Sequence, residues 1–498
     1  MRILITTLLL TATVSSAHAD ENMWTEAGKA AIQSRLQAQT FPNKAKNVIL
    51  FIGDGMGIST VTAARIFDGQ SRGESGEENF LSFEQFPHVA LSKTYNHDAQ
   101  VPDSAGTASA LLTGAKTRIG VLGVSHHQPH GQCEGASEHY LQTLVEKAEI
   151  AGLRTGVVTT ARLTHATPGS TYAHSPSRDW EDDSQLTDEA KTFGCKDIAR
   201  QFIEFPYGDG IDVAMGGGRK HFLPNTATDP EYKLKMGGRQ DGRNLIKEWQ
   251  SKNANGVFAW NKDGFDEADT SASKFLGLFE RSHMQYETDR AEDGAGEPSL
   301  AEMTEKAIQM LSKGDNGYVL LVEGGRIDHA HHAGNARRAL KEAQAFSQAV
   351  KMAQNMVDLD ETLIIVTADH SHVFTMAGYP ARGNPILGLV HRPDGHDGHQ
   401  VEPVSAKDGK PYTTLGYYNG PGAVSGERPD LTETDTTDKD FKQQSLVPTS
   451  SETHSGEDVA IYATGAGSSL ISGVMEQNVI YHVMDYALRE KWQSLNKD

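Results

Sequence analysis

Six short apolar runs, largely β-branched, limit the architecture of this chain more than any other feature. They cover residues 47–52, 155–160, 211–215, 318–322, 362–367 and 458–463, and most end in glycine-rich turns. Between them lie amphipathic stretches at 141–150, 302–311 and 336–356, with apolar residues at helical spacing. A continuous apolar run this short reads as a strand buried on both faces, and strands alternating with helices pair in parallel. The expected fold is α/β: a large, mainly parallel central sheet flanked by helices on both faces. Two segments break the rhythm. Residues 225–296 are rich in Gly, Asp and Lys, and residues 378–449 are loop-like, with Pro385, Pro393, Pro403, Pro411, Pro421 and Pro429. Strand-like sequence resumes after each, so both read as insertions into a single domain spanning residues 20–498. The acidic tract 430–440 reads as a solvated loop.

The polar clusters gather where these strands end, the edge at which open α/β sheets bind ligands. After the first run comes Gly53-Asp54-Gly55-Met56-Gly57. After the fourth comes Glu323-Gly324-Gly325-Arg326-Ile327-Asp328-His329-Ala330-His331-His332, and after the fifth Ala368-Asp369-His370-Ser371-His372. Glu452-Thr453-His454 stands just ahead of the last run. Asp328 and His332 are four apart and share a helix face. Carboxylate with imidazole suits zinc, which keeps a position open when it is hydrolytic. Any one of these residues alone reads as a cap or a surface group. Charged side chains from four distant segments, collected at buried strand ends, do not.

Ser104, in Val101-Pro102-Asp103-Ser104-Ala105-Gly106-Thr107-Ala108, precedes an Ala-rich helical stretch. Free N–H groups and the dipole at a helix start favour a phosphate. On these residues alone the plainer reading is an N-cap serine. No Gly-x-Ser-x-Gly elbow and no obvious adjacent base is present, and a metal could activate the serine instead.

Residues 1–19 have a positive start, an apolar stretch and an Ala17-His18-Ala19 cleavage pattern, the layout of a secretory signal peptide. That stretch is shorter than the roughly 20 apolar residues of a membrane span, and no lipid-anchor signal follows the polar C-terminus. The expected product is exported, to the periplasm or the medium, without a membrane anchor. A net charge of −20 argues against nucleic acid as a partner beyond substrate phosphates. It also requires local cations wherever an anion is to bind. In an exported chain the two cysteines, Cys133 and Cys195, read as one disulfide.

Taken together, Gly53–Gly57, Asp103-Ser104-Ala105-Gly106-Thr107-Ala108, Val322–His329, Thr367–His372 and Glu452-Thr453-His454 resemble the alkaline phosphatase family, in the family's order, across residues 47–465. The resemblance implies hydrolysis of phosphate monoesters with broad specificity, through a phosphorylated Ser104, with two zinc ions and one magnesium. Asp328, His332 and His454 resemble the ligands of one zinc, and Asp369 and His370 those of the second. Asp54 is similar to the carboxylate that bridges the second zinc and the magnesium, and Thr167 and Glu323 match the remaining magnesium ligands. Arg178 resembles the arginine that grips phosphate, a task for which its fork suits better than a lysine. Asp103, His165 and His329 would support these groups without ligating. Histidine at 165 and 329 is similar to the animal and marine bacterial branches, whereas some enterobacterial members carry Asp and Lys. His372 is expected near the second zinc and His331 in packing. His126, His127 and the histidines of 391–399 read as loop residues.

The resemblance extends to the insertions. Glu231, Phe279, Glu280 and Glu297 match a calcium site, with Glu297 where Asp is usual, and a group of solvated acids is the competing reading. Residues 378–449 resemble a crown over a homodimer interface, residues 21–39 read as an amphipathic helix able to reach a partner subunit, and Cys133 and Cys195 match a family disulfide. The alternatives are a phosphodiesterase or sulfatase of the same superfamily, or a non-catalytic exported protein that binds phosphate or metal. Ser104 lacks the C/S-x-P-x-R setting of a sulfatase, a diesterase usually has Thr as nucleophile and lacks the third-metal set, and a non-catalytic relative would be expected to have lost one of the key residues.

Overall fold

The computed structural model describes residues 40–396 and 398–492. The signal peptide and the helix expected at 21–39 lie outside the described residues. Ten strands make the central sheet: β1 (Asn47–Gly53), β2 (His88–Lys93), β3 (Arg154–Arg162), β4 (Val213–Gly217), β5 (Val257–Ala259), β6 (Phe275–Leu278), β7 (Tyr318–Gly324), β8 (Thr362–Ala368), β9 (Val459–Gly465) and β10 (Gly473–Glu476). Their spatial order is β10-β2-β9-β8-β1-β7-β3-β4-β6-β5. Every neighbouring pair is parallel except those made by β9, which runs against both β8 and β2.

Alternate side chains of a strand point to opposite faces. In β1, Val48, Leu50 and Ile52 enter one core, while Ile49 and Phe51 enter the other. The labelled helices are α1 (Ile58–Gln70), α2 (Ser104–Thr113), α3 (Leu144–Ile150), α4 (Leu300–Leu311), α5 (Arg326–His332), α6 (Ala336–Met356) and α7 (Val479–Ala487). The first core takes Leu111 and Leu112 of α2, Leu144 of α3 and Met484 of α7. The second takes Val61 of α1, Met303 of α4 and Phe346 of α6. The sheet is therefore buried on both faces, as its continuous apolar strands require.

Caps decide where the helices begin. Thr143 and Glu146 form a reciprocal capping box, so α3 starts three residues later than its periodicity suggests. Ser299 and Glu302 do the same for α4, which starts two residues earlier. The segment 225–296, read from sequence as an insertion, contributes the last two strands at one side of the main sheet, β6 and the edge strand β5. Strands of three and four residues are too short to announce themselves as buried runs. The proline-spaced segment supplies Leu415–Gly420 and Ser445–Pro448, which form a separate three-stranded sheet with Phe374–Met376 just ahead of it. Cys133 and Cys195 are disulfide-bonded, against Trp180 and Ala190. No described helix is long and apolar enough to cross a membrane.

Candidate active site

Because β1, β7 and β8 are adjacent and parallel, their C-terminal ends form one edge. Because β9 is antiparallel, the segment before it reaches that same edge. There Ser371–His372 pairs with His454–Ser455, which brings His454 beside the end of β8.

Asp328 Oδ1 is the hub of a first cluster. The Nε2 atoms of His372, His332 and His454 lie 2.8, 3.2 and 3.3 Å from it. The outer nitrogens are fixed by acceptors. His332 Nδ1 donates to Glu452 O at 2.6 Å and His454 Nδ1 to Pro102 O at 2.8 Å. When both rings are neutral, as binding a metal requires, these bonds place the ring protons outward and leave two Nε2 lone pairs facing each other at 3.1 Å. Two lone pairs at that separation call for a cation between them. Burial works to raise the Asp328 pKa, but His332, His372 and His454 hold it well below the usual carboxylate range.

His372 stands in this first cluster, not beside the second as expected from sequence. Its Nδ1 meets Glu452 Oε2 at 2.6 Å while Nε2 meets Asp328. Burial opposes its charge, yet Glu452 and Asp328 outweigh it and raise its pKa to about 10. His372 is thus an imidazolium strut that holds Asp328. Gly55 makes room for it: its φ is +67°, and a Cβ there would lie 2.3 Å from His372 Nε2. His331 is fully buried in packing, between Thr60 Oγ1 at 3.0 Å and Tyr417 Oη at 2.9 Å.

A second cluster joins Asp54, Asp369 and His370. Asp369 is oriented by hydrogen bonds from Gly55 N at 3.0 Å and Thr107 Oγ1 at 3.2 Å. The His370 ring stacks on His454 at 3.6 Å, which sets the two clusters side by side. Against the second cluster lies Ser104, first residue of α2, its Oγ 3.1 Å from His370 Nε2 and 3.4 Å from Asp54 Oδ1. A third cluster combines Asp54, Glu323 and His165. Asp54 Oδ2, Glu323 Oε1 and Thr167 Oγ1 are buried there without a well-formed hydrogen bond among the described residues. Three orphaned oxygens suit a hard cation. Burial first, then Asp369, Asp328 and Glu323, push the Asp54 carboxyl up; burial, then Asp369 and Asp328, carry Glu323 to about 7. Divalent cations would relieve that crowding of like charge.

Asp103 ties the serine to the arginine. One oxygen caps α2, accepting from Gly106 N at 3.1 Å; the other accepts from Arg178 Nη1 at 3.0 Å. Arg178 Nη2 also donates to His165 Nε2 at 3.2 Å. The rings of His165 and His329 lie 5.4 Å apart. Away from this edge, Glu231 and Glu280 converge with Asp293, a residue the sequence did not single out. Glu297 adjoins them, its Oε2 buried and without a hydrogen-bond partner among the described residues, its pKa raised to about 9 by burial and then by Glu280 and Asp293. The Phe279 ring packs on Phe265. Sequence reasoning also gave no role to Glu452, although it sits inside a recognised motif, or to His283, which has no motif around it.

A family model described as alkaline phosphatase matches residues 45–490. The tissue-nonspecific alkaline phosphatase of Felis catus is 45% identical over 493 residues, covering 97% of this chain and 91% of that protein. An alkaline phosphatase of Gadus morhua is 45% identical over 478 residues, with 94% and 97% covered. Among solved structures, the Thermus thermophilus alkaline phosphatase superposes with a TM-score of 0.63 at 23% identity, over 92% of this chain and 97% of that one. The alkaline phosphatase of the Antarctic bacterium TAB5 gives 0.59 at 24%, over 89% and 98%. At these identities the structural matches speak for the fold.

Proposed function

The chain belongs to the alkaline phosphatase family, enzymes that hydrolyse phosphate monoesters, and on that footing we propose that it acts with broad specificity through a phosphoserine at Ser104. The carrying observation is Ser104 Oγ, set at a helix start between the Asp54–His370 pair and the arginine held by Asp103. Two zinc ions, held by Asp328, His332 and His454 and by Asp54, Asp369 and His370, and a magnesium held by Asp54, Thr167 and Glu323, would supply Lewis acidity and charge balance.

Arg178 takes two non-bridging oxygens of the ester and turns phosphorus toward Ser104. The serine oxygen bonds to phosphorus as the ester oxygen leaves with its electron pair and is released, protonated, as the alcohol. Water then attacks phosphorus from the vacated side, the Ser104–O–P bond breaks, and inorganic phosphate departs. The N–H groups at the start of α2 face the charge that develops. Contacts limited to the phosphoryl group account for broad specificity.

The same reading assigns calcium to Glu231, Glu280, Glu297 and the Phe279 carbonyl, with Asp293 as a further oxygen donor. It takes the three-stranded sheet as the cover of a homodimer interface, and the disulfide as the mark of an exported, oxidised protein. Hydrolysis of p-nitrophenyl phosphate at pH 7–10 tests the core of it. Activity should vanish with EDTA, return with zinc and magnesium, and be nearly absent in Ser104→Ala with fold and metal content retained. Wild-type turnover in that variant would remove Ser104 from the mechanism.

A further inference from the structure

Away from the clusters at the strand ends, four histidine rings stand in a row on loops at the surface. His97 stacks on His126 at 4.0 Å between centroids, His126 lies 4.1 Å from His127, and His127 lies 6.0 Å from His139. Backbone bonds fix the segments that carry them. His97 N donates to Thr117 O at 2.8 Å, Ser125 N to His139 O at 2.8 Å, and Arg118 Nε to His126 O at 2.8 Å. His97 and His127 are exposed, and His126 and His139 half-buried. No ring nitrogen of the four has a hydrogen-bond partner among the described residues.

Rings set this close can receive an anion or share a metal. An anion needs protonated rings, and like charges side by side oppose that. Desolvation first, then His97, His127 and Arg118, lower the His126 pKa, so this ring keeps its lone pair free. The catalytic edge offers a measure for a metal. His332 and His454, the proposed partners in one zinc site, have centroids 4.9 Å apart and planes tilted by 32°. The His97–His126 and His126–His127 pairs are closer, and their tilts of 25° and 39° bracket that value. One difference separates the two places. At the edge the outer nitrogens are anchored by carbonyl groups, whereas these rings are free to turn and must be gathered by the ion. Anchored imidazoles bind tightly; unanchored ones bind weakly and exchange fast. Arg118 does not bar a cation, because Asp98 Oδ2 lies 3.5 Å from its Nη1. Imidazoles without a carboxylate among them favour zinc, nickel or copper over magnesium or calcium. The row also borders the serine's support: Asn96, next in the chain to His97, donates from Nδ2 to Asp103 Oδ1 at 2.9 Å.

We propose that His97, His126 and His127 form a labile site for a zinc-class divalent ion, which captures the metal from dilute solution and passes it to the catalytic edge. The transfer is ligand exchange, with no change in the ion's charge. The supply role rests on the two-zinc reading of the edge; the site itself does not.

The test counts metal first. Holoenzyme dialysed against zinc, with magnesium and calcium present, should carry one zinc beyond those of the catalytic edge. His97→Gln and His127→Gln each remove an exposed ring. Each should weaken the extra ion at least about tenfold, since losing even a residue that supports a ligand costs that much. His399→Gln, which breaks up the separate His391–His399 pair, should change nothing. At saturating zinc all three variants should hydrolyse p-nitrophenyl phosphate as the wild type does. Stripped enzyme given limiting zinc should regain that activity several-fold more slowly in His97→Gln and His127→Gln. No extra ion in the wild type, undiminished binding in these two variants, or equal rates of reactivation would each overturn the proposal. An extra zinc lost in both variants of an enzyme that zinc never reactivates would sink the two-zinc reading, and the supply role with it, while leaving the site standing.

Discussion

Buried acids at the catalytic edge have a partner in waiting; Glu149 does not. It lies beneath the sheet, 4% exposed, beside Asp212, with Thr155 Oγ1 donating to it. Burial and then Asp212 raise its pKa from the ordinary 4.5 to about 8. Between those values the folded chain keeps a proton that the unfolded chain has released. The stability linked to Glu149 is thus complete below about pH 4.5 and is lost as pH climbs toward 8. Glu149→Gln should remove this term while still accepting from Thr155. Thermal unfolding scanned from pH 5 to 9 should show the variant and wild type converging in acid. Above pH 8 the variant should melt higher, by on the order of a few degrees. A constant offset across the range would mean that Glu149 does not hold its proton.

At the scale of elements, one residue serves two of them: Asp103 caps α2 and anchors Arg178, on the 172–178 segment. Asn is as good a cap as Asp but carries no charge. Asp103→Asn should therefore keep the melting point and raise KM for p-nitrophenyl phosphate, because the guanidinium loses its partner. Asp103→Ala should raise KM too and also cost about 1 kcal/mol of stability in urea unfolding, the worth of a lost cap. If both variants melt alike, the cap contributes nothing. The elements that were legible in the sequence share one property with this site: they are central. The strands β1, β3, β4, β7, β8 and β9 are buried on both faces or nearly so, and their unbroken apolar runs announce them. The strands β5, β6 and β10 have only three or four residues, and β2 alternates in burial so that no run forms. The reversed direction of β9 leaves no local mark, since it is fixed by which neighbours pair. Motif residues such as Asp54, Asp328, Asp369 and His370 could be read because each follows a visible strand directly. His283 and Asp293 reach their clusters by tertiary folding of an irregular segment, and no periodicity signals that.

For the whole molecule, charge poses the remaining question. A chain with net charge −20 repels a phosphate dianion at long range, while Arg178 and the metals of the proposed reading attract it at short range. The two fields differ in reach, so salt should separate them. The Debye length shrinks from about 30 Å at 0.01 M to about 10 Å at 0.1 M, enough to erase the diffuse field of the surface. A cationic site engaged at contact distance is screened far less. Accordingly kcat/KM for p-nitrophenyl phosphate at pH 9 should rise as ionic strength increases from 0.01 to 0.1 M and then level off, with kcat nearly constant. A steady fall with salt would mean instead that the cationic edge projects beyond the acidic surface and steers substrate inward, as positively lined clefts do. In that case the −20 charge would be distributed away from the mouth of the site.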